Sequence, residues 1–283
     1  MRLPMPSCFF ASDLHGRPDR YDKLVEAIAR EAPAAVFLGG DLLPHPLAAP
    51  DFLTEALIPR LERLRERLGE GYPRMFVILG NDDPRSEEQE VQNAARRGLW
   101  EYAHDRRIAW GRWEVVGYAC VPPTPFQLKD WERYDVSRQL EPGCVAPEEG
   151  WHTVPPPEPP PHGPTIREDL ERLAGQGDLR QAVALVHTPP YNTALDRAAL
   201  DGRMVDHVPL DVHVGSIALR RFIEARQPLL TLHGHIHESA RLTGSWRERI
   251  GRTHLFSAAH DGPELALIRF DPDDLERATR ELI

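Results

Sequence analysis

Short runs of β-forming residues alternate with amphipathic helical stretches along this chain. Between the first two runs, for example, Tyr21, Leu24, Val25 and Ile28 recur at helical spacing. Such alternation is typical of βαβ units built around a largely buried sheet. It predicts an α/β fold whose main strands are the following segments: "CFFAS" (8–12), "AAVFLGG" (34–40), "MFVILG" (75–80), "AVALVH" (182–187) and "PLLTL" (228–232). Apolar runs near 107–121, 254–258 and 265–270 predict further strands.

A proline-rich segment from Glu141 to Pro164 interrupts this pattern with the sequence EPGCVAPEEGWHTVPPPEPPPHGP. So much proline excludes a helix or an interior strand. Because strand and helix patterns lie on both sides of it, we expect one domain over 1–283 with a proline-rich surface insertion at about 141–164. The insertion is either a semi-rigid linker or a lid over a site.

The composition limits which binding partners and which cellular compartment we expect for this protein. Acidic residues outnumber basic ones 44 to 34 and give a net charge of −10, which disfavours long nucleic acids as partners. Cys8, Cys120 and Cys144 show no CxxC spacing, which argues against a disulfide framework or a thiolate zinc site. The N-terminal apolar run is too short for a secretory signal, and no stretch reaches membrane-spanning length. These features predict a cytoplasmic protein with no membrane partner.

The five main strands share one further property, since each ends in a polar residue that can bind a ligand. In doubly wound sheets ligands bind beyond the carboxyl ends of the strands, so we expect these residues to converge. Glycines at 40, 80 and 234 allow tight turns beside them. The strand-end residues are Asp13 and His15, Asp41, Asn81, His187, and His235 with His237.

This set contains two carboxylates, one amide oxygen and several imidazoles, without a thiolate. Such oxygen and nitrogen donors suit Mn, Fe, Zn or Ni ions better than calcium. Seven ligands are too many for one tetrahedral ion and sufficient for two. Two divalent cations beside Asp13 and Asp41 would leave a local charge of about +2, which can hold a phosphate and a hydroxide in an acidic protein. The sequence therefore predicts two divalent or trivalent metal ions as cofactors.

The same residues carry a family resemblance. Asp13-x-His15, Gly40-Asp41, Gly80-Asn81, His187 and Gly234-His235-x-His237 have the order and approximate spacing found in the calcineurin-like metallophosphoesterase superfamily. The segments "VPPTPFQLKDWE", "HTPPYNTALD", "HVGS" and "GHIHES" resemble prokaryotic phosphodiesterases of that superfamily. Each motif alone is weak, but the ordered set is specific and covers nearly the whole chain.

The resemblance implies a fold, a site and a reaction. The fold is a four-layer α/β/β/α sandwich of two mixed β-sheets flanked by helices. The reaction is phosphoester hydrolysis by attack of a metal-bridging hydroxide. The implied ligands are Asp13, His15 and His237 for one metal, Asn81, His187 and His235 for the other, and Asp41 for both.

The third motif departs from the family pattern. Many members have Gly-Asn-His-Glu/Asp, in which the histidine assists the leaving group, whereas this chain has Asp82 at that position. A carboxylate with an ordinary pKa of about 3.9 is a poor proton donor unless its surroundings raise that value. The second motif also lacks the Asp-Arg continuation of the Ser/Thr protein phosphatases, which disfavours that activity.

Two other histidines are candidates to assist. His213 precedes Gly215-Ser216 and a helix predicted from 215 to 226, whose first amides are expected to seat a phosphate oxygen. It is therefore a candidate accessory acid or phosphate contact, with a simple helix-cap role as the alternative. His45, four residues beyond Asp41, is a second candidate for substrate binding.

The leading functional hypothesis is a metal-dependent phosphodiesterase acting on a small phosphorylated molecule, such as a cyclic nucleotide or a dinucleotide. One alternative is a nuclease with the same dinuclear site, for which Arg96-Arg97 or Arg220-Arg221 would supply local positive charge. The other is a non-catalytic protein-binding scaffold of the same fold. The sequence leaves the oligomeric state open, a homo-oligomer included.

Overall fold

Two six-stranded mixed sheets carry the fold in a computed structural model that describes residues 8–45, 51–155 and 164–283. In the first sheet the four strands nearest one edge are parallel to one another, and each of the other two strands pairs antiparallel with the neighbour before it, counted from that edge. Its strands in spatial order are Thr279–Leu282 (β14), Ala266–Phe270 (β13), Cys8–Ala11 (β1), Ala35–Gly39 (β2), Arg74–Ile78 (β3) and Glu101–Tyr102 (β4).

The second sheet has four parallel central strands with an antiparallel strand at each edge. Its strands in spatial order are Arg247–Ile250 (β11), Thr253–Ser257 (β12), Leu230–His233 (β10), Ala182–Val186 (β7), Trp113–Tyr118 (β6) and Arg106–Trp110 (β5). A separate short hairpin pairs Met204–Val205 (β8) with Val208–Pro209 (β9).

Helices connect the parallel strands. Pro18 opens the first helix, where its missing N–H costs no hydrogen bond. Thr165 and Glu168 form a capping box at the start of the fourth helix. The α-helices are Pro18–Glu31 (α1), Ile58–Leu68 (α2), Glu88–Arg96 (α3), Ile166–Ala174 (α4), Ile217–Arg226 (α5) and Ser239–Thr243 (α6). A π-helical turn over Leu53–Leu57 precedes α2, and short 3₁₀ turns cover Gly69–Gly71, Arg85–Glu87 and Leu275–Arg277.

Aromatic side chains fill the space between the two sheets. The ring of Phe256 on β12 lies 6.2 Å from that of Phe270 on β13, and the ring of Phe37 on β2 lies 5.5 Å from that of Trp110 on β5. On the outer faces, α1 packs on α2 and α4 packs on α5. The predicted α/β/β/α sandwich of two mixed sheets is confirmed.

The proline-rich segment departs from this regular structure. Its described part, 141–155, contains turns and one bridge between Trp151 and Leu128, and residues 156–163 lie outside the described range. Within the described residues, no helix combines the length and the apolar character needed to cross a membrane.

Candidate metal centre

Five parallel strands deliver the candidate metal ligands. In the first sheet β1, β2 and β3 end just before Asp13, Asp41 and Asn81. In the second sheet β7 ends just before His187, and β10 ends two residues before His235. The site is therefore assembled from strand ends of two facing sheets.

The structure brings the ligand atoms into two overlapping groups. One ligand atom each from Asp13, His15, Asp41 and His237 lie within 4.8 Å of one another, and so do atoms of Asp41, His187 and His235. Asp41 belongs to both groups. Asn81 joins the second group, because its Oδ1 lies 3.1 Å from His187 Nε2. Two donor groups that share one carboxylate are the arrangement that two neighbouring cations require.

The electrostatics of these groups suit cations as well. Asp13 is 0% exposed and Asp41 is 2% exposed, and buried carboxylates are unfavourable unless positive charge compensates them. Burial opposes ionisation, but the His187 and His15 imidazoles lower the pKa of Asp41 to about 2. The imidazoles of His237, His187 and His15 likewise hold the pKa of Asp13 well below its ordinary value.

The carboxylates act back on the imidazoles. Burial lowers the pKa of a histidine, yet Asp41, 3.3 Å away, raises that of His187 to about 10. Asp13, also 3.3 Å away, raises the pKa of His237 to about 9 against burial. Burial and the charge of His187 lower the pKa of His235 to about 3, which keeps this imidazole a neutral ligand. The two carboxylates thus draw protons onto His187 and His237, and divalent cations that displace those protons would be favoured at the same place. The thiolate-free donor set fits cations of the Mn, Fe, Zn or Ni class.

The comparison with known proteins decides the family. The model of the calcineurin-like phosphoesterase family matches residues 8–239. The chain belongs to the calcineurin-like phosphoesterase family. As a member, it is a metal-dependent phosphoesterase with a dinuclear centre, so the predicted superfamily and enzyme class are confirmed. No curated protein matches the sequence.

Solved structures share the fold at low sequence identity. The protein TT1561 of Thermus thermophilus is 16% identical with a TM-score of 0.57, and the match covers 99% of each chain. A dimetal phosphatase from Danio rerio is 13% identical with a TM-score of 0.52 over 95% of this chain and 94% of that one. Phosphopantetheinyl hydrolase from Mycobacterium tuberculosis is 15% identical with a TM-score of 0.50 over 98% and 96%.

Backbone conformation at the centre of this phosphoesterase is unusual. Asp13, His15, Asp41 and His235 all have positive φ, between 48° and 73°. Residues other than glycine rarely adopt this left-handed conformation, which costs about 1–3 kcal/mol each and is concentrated at functional sites. The sequence motifs contain no sign of this strain.

Glycines make room for the close approach of the ligands. A Cβ at Gly80 would meet Asp41 Oδ1 and lie 2.7 Å from His187 Nε2. A Cβ at Gly234 would lie 2.6 Å from Asp13 Oδ2. Both positions therefore exclude a side chain for steric reasons, since neither has a positive φ.

Buried polar side chains hold the backbone next to the ligands. The fully buried Asp83 accepts hydrogen bonds from the amides of Leu43 (2.7 Å), Leu42 (3.1 Å) and Gly80 (2.8 Å), which joins the Asp41 loop to the Asn81 loop. Burial and the Asp41 charge raise the pKa of Asp83, and the three amide hydrogen bonds oppose this shift by favouring the carboxylate. Arg20 donates to the carbonyl oxygens of Asp13 and, at 2.6 Å, of Gly262.

His233 performs the same task on the other sheet. Its Nδ1 lies 3.0 Å from the Val186 carbonyl and 2.9 Å from the Thr188 carbonyl, on either side of His187. Such partners fix the direction of metal ligands. Sequence reasoning missed the roles of Arg20 and His233, because no motif links a side chain to the carbonyl of a distant residue.

Asp82 lies beside the donor groups. Its amide donates to Asp41 Oδ1 at 2.8 Å, and its carboxylate lies 3.7 Å from His15 Nδ1. Burial and the Asp41 charge raise the pKa of Asp82, which is the direction a proton donor needs, whereas bound cations would act in the opposite direction. His45 is exposed at the end of a described range.

The structure places His213 outside both donor groups. Its Nδ1 lies 2.8 Å from Asp196 Oδ1, and its ring packs edge-on against Tyr191. The start of α5 does not serve the purpose that the sequence predicted, because the amides of Ile217 and Ala218 donate to the Asp135 carboxylate. The prediction that this helix start seats a phosphate oxygen is wrong, since a protein carboxylate already occupies it. A proton-donor role for His213 itself stays a prediction.

Proposed function

We propose that this phosphoesterase is a phosphodiesterase that acts on a small phosphorylated molecule, with a cyclic nucleotide or a dinucleotide as the substrate class. One observation carries the choice of a diester. The Asp82 carboxylate lies beside the shared ligand Asp41, at the position where many family members have a histidine.

The ligand assignment follows the two donor groups. Asp13, His15 and His237 would hold one cation, Asn81, His187 and His235 would hold the other, and Asp41 would contact both. When bound, the two cations supply a water of lowered pKa and stabilise negative charge on the phosphoryl oxygens.

The residues of the chain orient the site and select the substrate charge. Asp83, Arg20 and His233 fix the loops, so the ligands need little rearrangement during the reaction. The side chain of Asp82 is 40% exposed, so its charge faces the opening of the site. Bound cations would lower the pKa of the Asp82 carboxyl and so favour its anionic form.

The negative charge of Asp82 discriminates between phosphomonoesters and phosphodiesters. A phosphomonoester has a second pKa of about 6 and is largely a dianion at pH 7, whereas a diester is a monoanion. The Asp82 carboxylate therefore repels a monoester more than a diester. It also supplies no imidazolium to protonate the leaving group, so leaving groups of low basicity are favoured.

The test compares an aryl phosphodiester with the corresponding monoester on the Mn²⁺-loaded protein. We expect the wild type to prefer the diester and Asp82→Asn to lower the diester-to-monoester ratio of kcat/KM by roughly tenfold, about 1.4 kcal/mol. Glu70→Gln removes one charge before β3, at the other end of the strand from the site, and should leave the ratio unchanged. A wild-type preference for the monoester, or equal ratios in Asp82→Asn and wild type, would overturn the proposal.

The remaining features of the proposal concern partners and compartment. The net charge of −10 favours a small substrate over a polynucleotide. Single- and double-stranded polynucleotides are expected to remain intact in a gel assay under the same metal conditions. Cys8, Cys120 and Cys144 are all thiols rather than disulfides, which is consistent with the cytoplasmic location that we propose.

A further inference from the structure

A cavity of about 710 Å³ lies at the β4 edge of the first sheet. Its walls come from α3, from β4 and the turn that follows it, and from Arg133. None of the proposed metal ligands lines it. The cavity is therefore separate from the metal centre, and what it binds is an independent question.

Arginine dominates the charge of this cavity. Arg85, Arg96, Arg106 and Arg133 line it together with Glu88, Glu101 and Asp105. Two of the three carboxylates are neutralised from outside the cavity. Arg74 Nε donates to Glu101 at 2.8 Å, and Arg172 donates to Asp105 at 2.7 Å.

The remaining ion pairs involve only two of the four arginines that line the cavity. Glu88 lies 3.5 Å from Arg85 and accepts a hydrogen bond from the Tyr102 hydroxyl, and Arg133 lies 3.2 Å from Asp169. Within the part of the chain that the structure describes, Arg96 and Arg106 have no carboxylate within ion-pair distance. Arg96 donates to the side-chain oxygen of Asn93, and Arg106 donates to the Tyr102 carbonyl at 3.3 Å.

His104, which also lines the cavity, is a neutral imidazole near pH 7. Burial lowers its pKa to about 3, and the charges of Arg85 and Arg133 act in the same direction. His104 Nδ1 accepts a hydrogen bond from the Ala119 amide at 3.0 Å, which also requires an unprotonated nitrogen there. His104 therefore adds no charge to the cavity, and the arginines and carboxylates alone set its sign.

We propose that this cavity binds the phosphate group of a small phosphorylated molecule, with Arg96 and Arg106 as its two ligands. The two arginines come from different elements, the last turn of α3 and the start of β5, and line one concave space. Planar guanidinium groups that approach from two sides suit an anion with several oxygens. Tyr102 and Trp100 line the same cavity and provide an aromatic wall for the rest of the molecule.

The test measures binding of radiolabelled inorganic phosphate to the metal-loaded protein by equilibrium dialysis. We expect two bound phosphates per wild-type chain, one at the metal centre and one in the cavity. Arg96→Gln/Arg106→Gln should lose the second phosphate, with an affinity at least roughly tenfold lower, the effect of one lost charge-assisted hydrogen bond. Its metal content and the inhibition of its activity by phosphate at the metal centre should stay at wild-type values, which shows that the variant is folded.

The chain offers a matched control in the adjacent arginines. Arg97→Gln/Arg107→Gln removes the same charge, but neither residue lines the cavity, and they pair with Glu90 (3.3 Å) and Glu114 (2.8 Å). We expect this control to keep both phosphates. A single wild-type phosphate that only inhibits hydrolysis, or an equal loss in both double variants, would overturn the proposal. A single phosphate that does not inhibit and is lost only in Arg96→Gln/Arg106→Gln would support the cavity while contradicting phosphate binding at the metal centre.

Discussion

Asp83 shows how one buried side chain fastens two ligand loops. Its Oδ1 accepts from the Leu43 amide, next to the Asp41 loop, and its Oδ2 accepts from the Gly80 amide, next to Asn81. Both carboxylate oxygens are thus used as acceptors of backbone N–H groups. The loops follow neighbouring strands. Asp83 therefore sets the spacing between Asp41, which both donor groups share, and Asn81, which belongs to the second group.

Replacing this side chain by its amide tests that role. Asp83→Asn places an NH₂ group against a backbone N–H, and an unsatisfied buried donor costs about 1–3 kcal/mol. We expect that loss in the free energy of unfolding measured by urea denaturation. We also expect metal affinity, measured by competition with a chelating dye, to fall roughly 10- to 100-fold. Asp178→Asn, at an exposed carboxylate that accepts from the Arg180 amide, is the control, and equal metal affinity in both variants would contradict the role.

The candidate ligands were predictable from sequence to a large extent at this scale. Polar residues directly after buried strands indicated all seven, and the structure places them in two overlapping groups. The left-handed φ of Asp13, His15, Asp41 and His235 was not predictable, because tertiary contacts impose it. The prediction of a phosphate site at the α5 start was wrong for a similar reason. The Ser216 hydroxyl there donates to the Asp135 carboxylate, and the two residues are 81 positions apart in the sequence.

At the scale of elements, β3 illustrates how a strand end is adapted to the centre. Gly71 precedes the strand in a 3₁₀ turn and Gly80 follows it. A Cβ at Gly71 would have nothing within 4 Å, whereas a Cβ at Gly80 would collide with Asp41 and His187. The same residue type therefore has opposite tolerance at the two ends of one strand.

This contrast predicts opposite results for two alanine variants. Gly80→Ala must displace Asp41 or His187, so we expect a loss of metal binding and a fall in kcat/KM of roughly a thousandfold, the several kcal/mol that metal ions contribute. Gly71→Ala should keep wild-type activity and metal content. Steady-state kinetics and elemental analysis on both proteins check this. Full activity of Gly80→Ala would show that the close approach is unimportant.

The elements themselves were predicted where burial made them visible. The five main strands and the runs that became β12 and β13 are apolar and buried. The strands β11 (Arg247–Ile250) and β14 (Thr279–Leu282) were missed, because their sequences RERI and TREL are charged. Both lie at sheet edges, where charged side chains protect an unpaired strand from association, so an apolar pattern is absent there.

At the scale of the whole molecule, two sheets rather than one bring the strand ends together. The sequence pattern predicted parallel strands, and the family resemblance implied the second sheet. Strand order within each sheet, such as β13 inserted between β14 and β1, depends on long-range packing that a local pattern does not contain. Packing the layers together also buries titratable side chains, so the free energy of unfolding depends on pH.

His104 provides a measurable part of that dependence. Its pKa is 6.5 in an exposed reference state and about 3 in the folded protein, where burial is the main cause. Above pH 6.5 the residue is neutral in both states. Between pH 6.5 and about 3 only the unfolded chain binds the proton, so the free energy of unfolding falls with falling pH, by at most about 1.4 kcal/mol per pH unit.

Substitution of His104 should therefore flatten the acid limb of stability. His104→Asn keeps an acceptor for the Ala119 amide and removes the titrating group. We expect urea denaturation between pH 7 and pH 4.5 to show a shallower decline for this variant. His207→Asn, at an exposed histidine between β8 and β9, should retain the wild-type decline. Identical declines in all three proteins would contradict the assignment.

The metal content of the purified chain tests the central claim most directly, namely that Asp41 joins two donor groups into one dinuclear centre. Elemental analysis after loading with Mn²⁺ and removal of excess metal should give two ions per wild-type chain. It should give one ion or fewer for Asp41→Asn, in which both groups lose the shared carboxylate. One ion or fewer in the loaded wild type, or two ions retained in Asp41→Asn, would contradict the account.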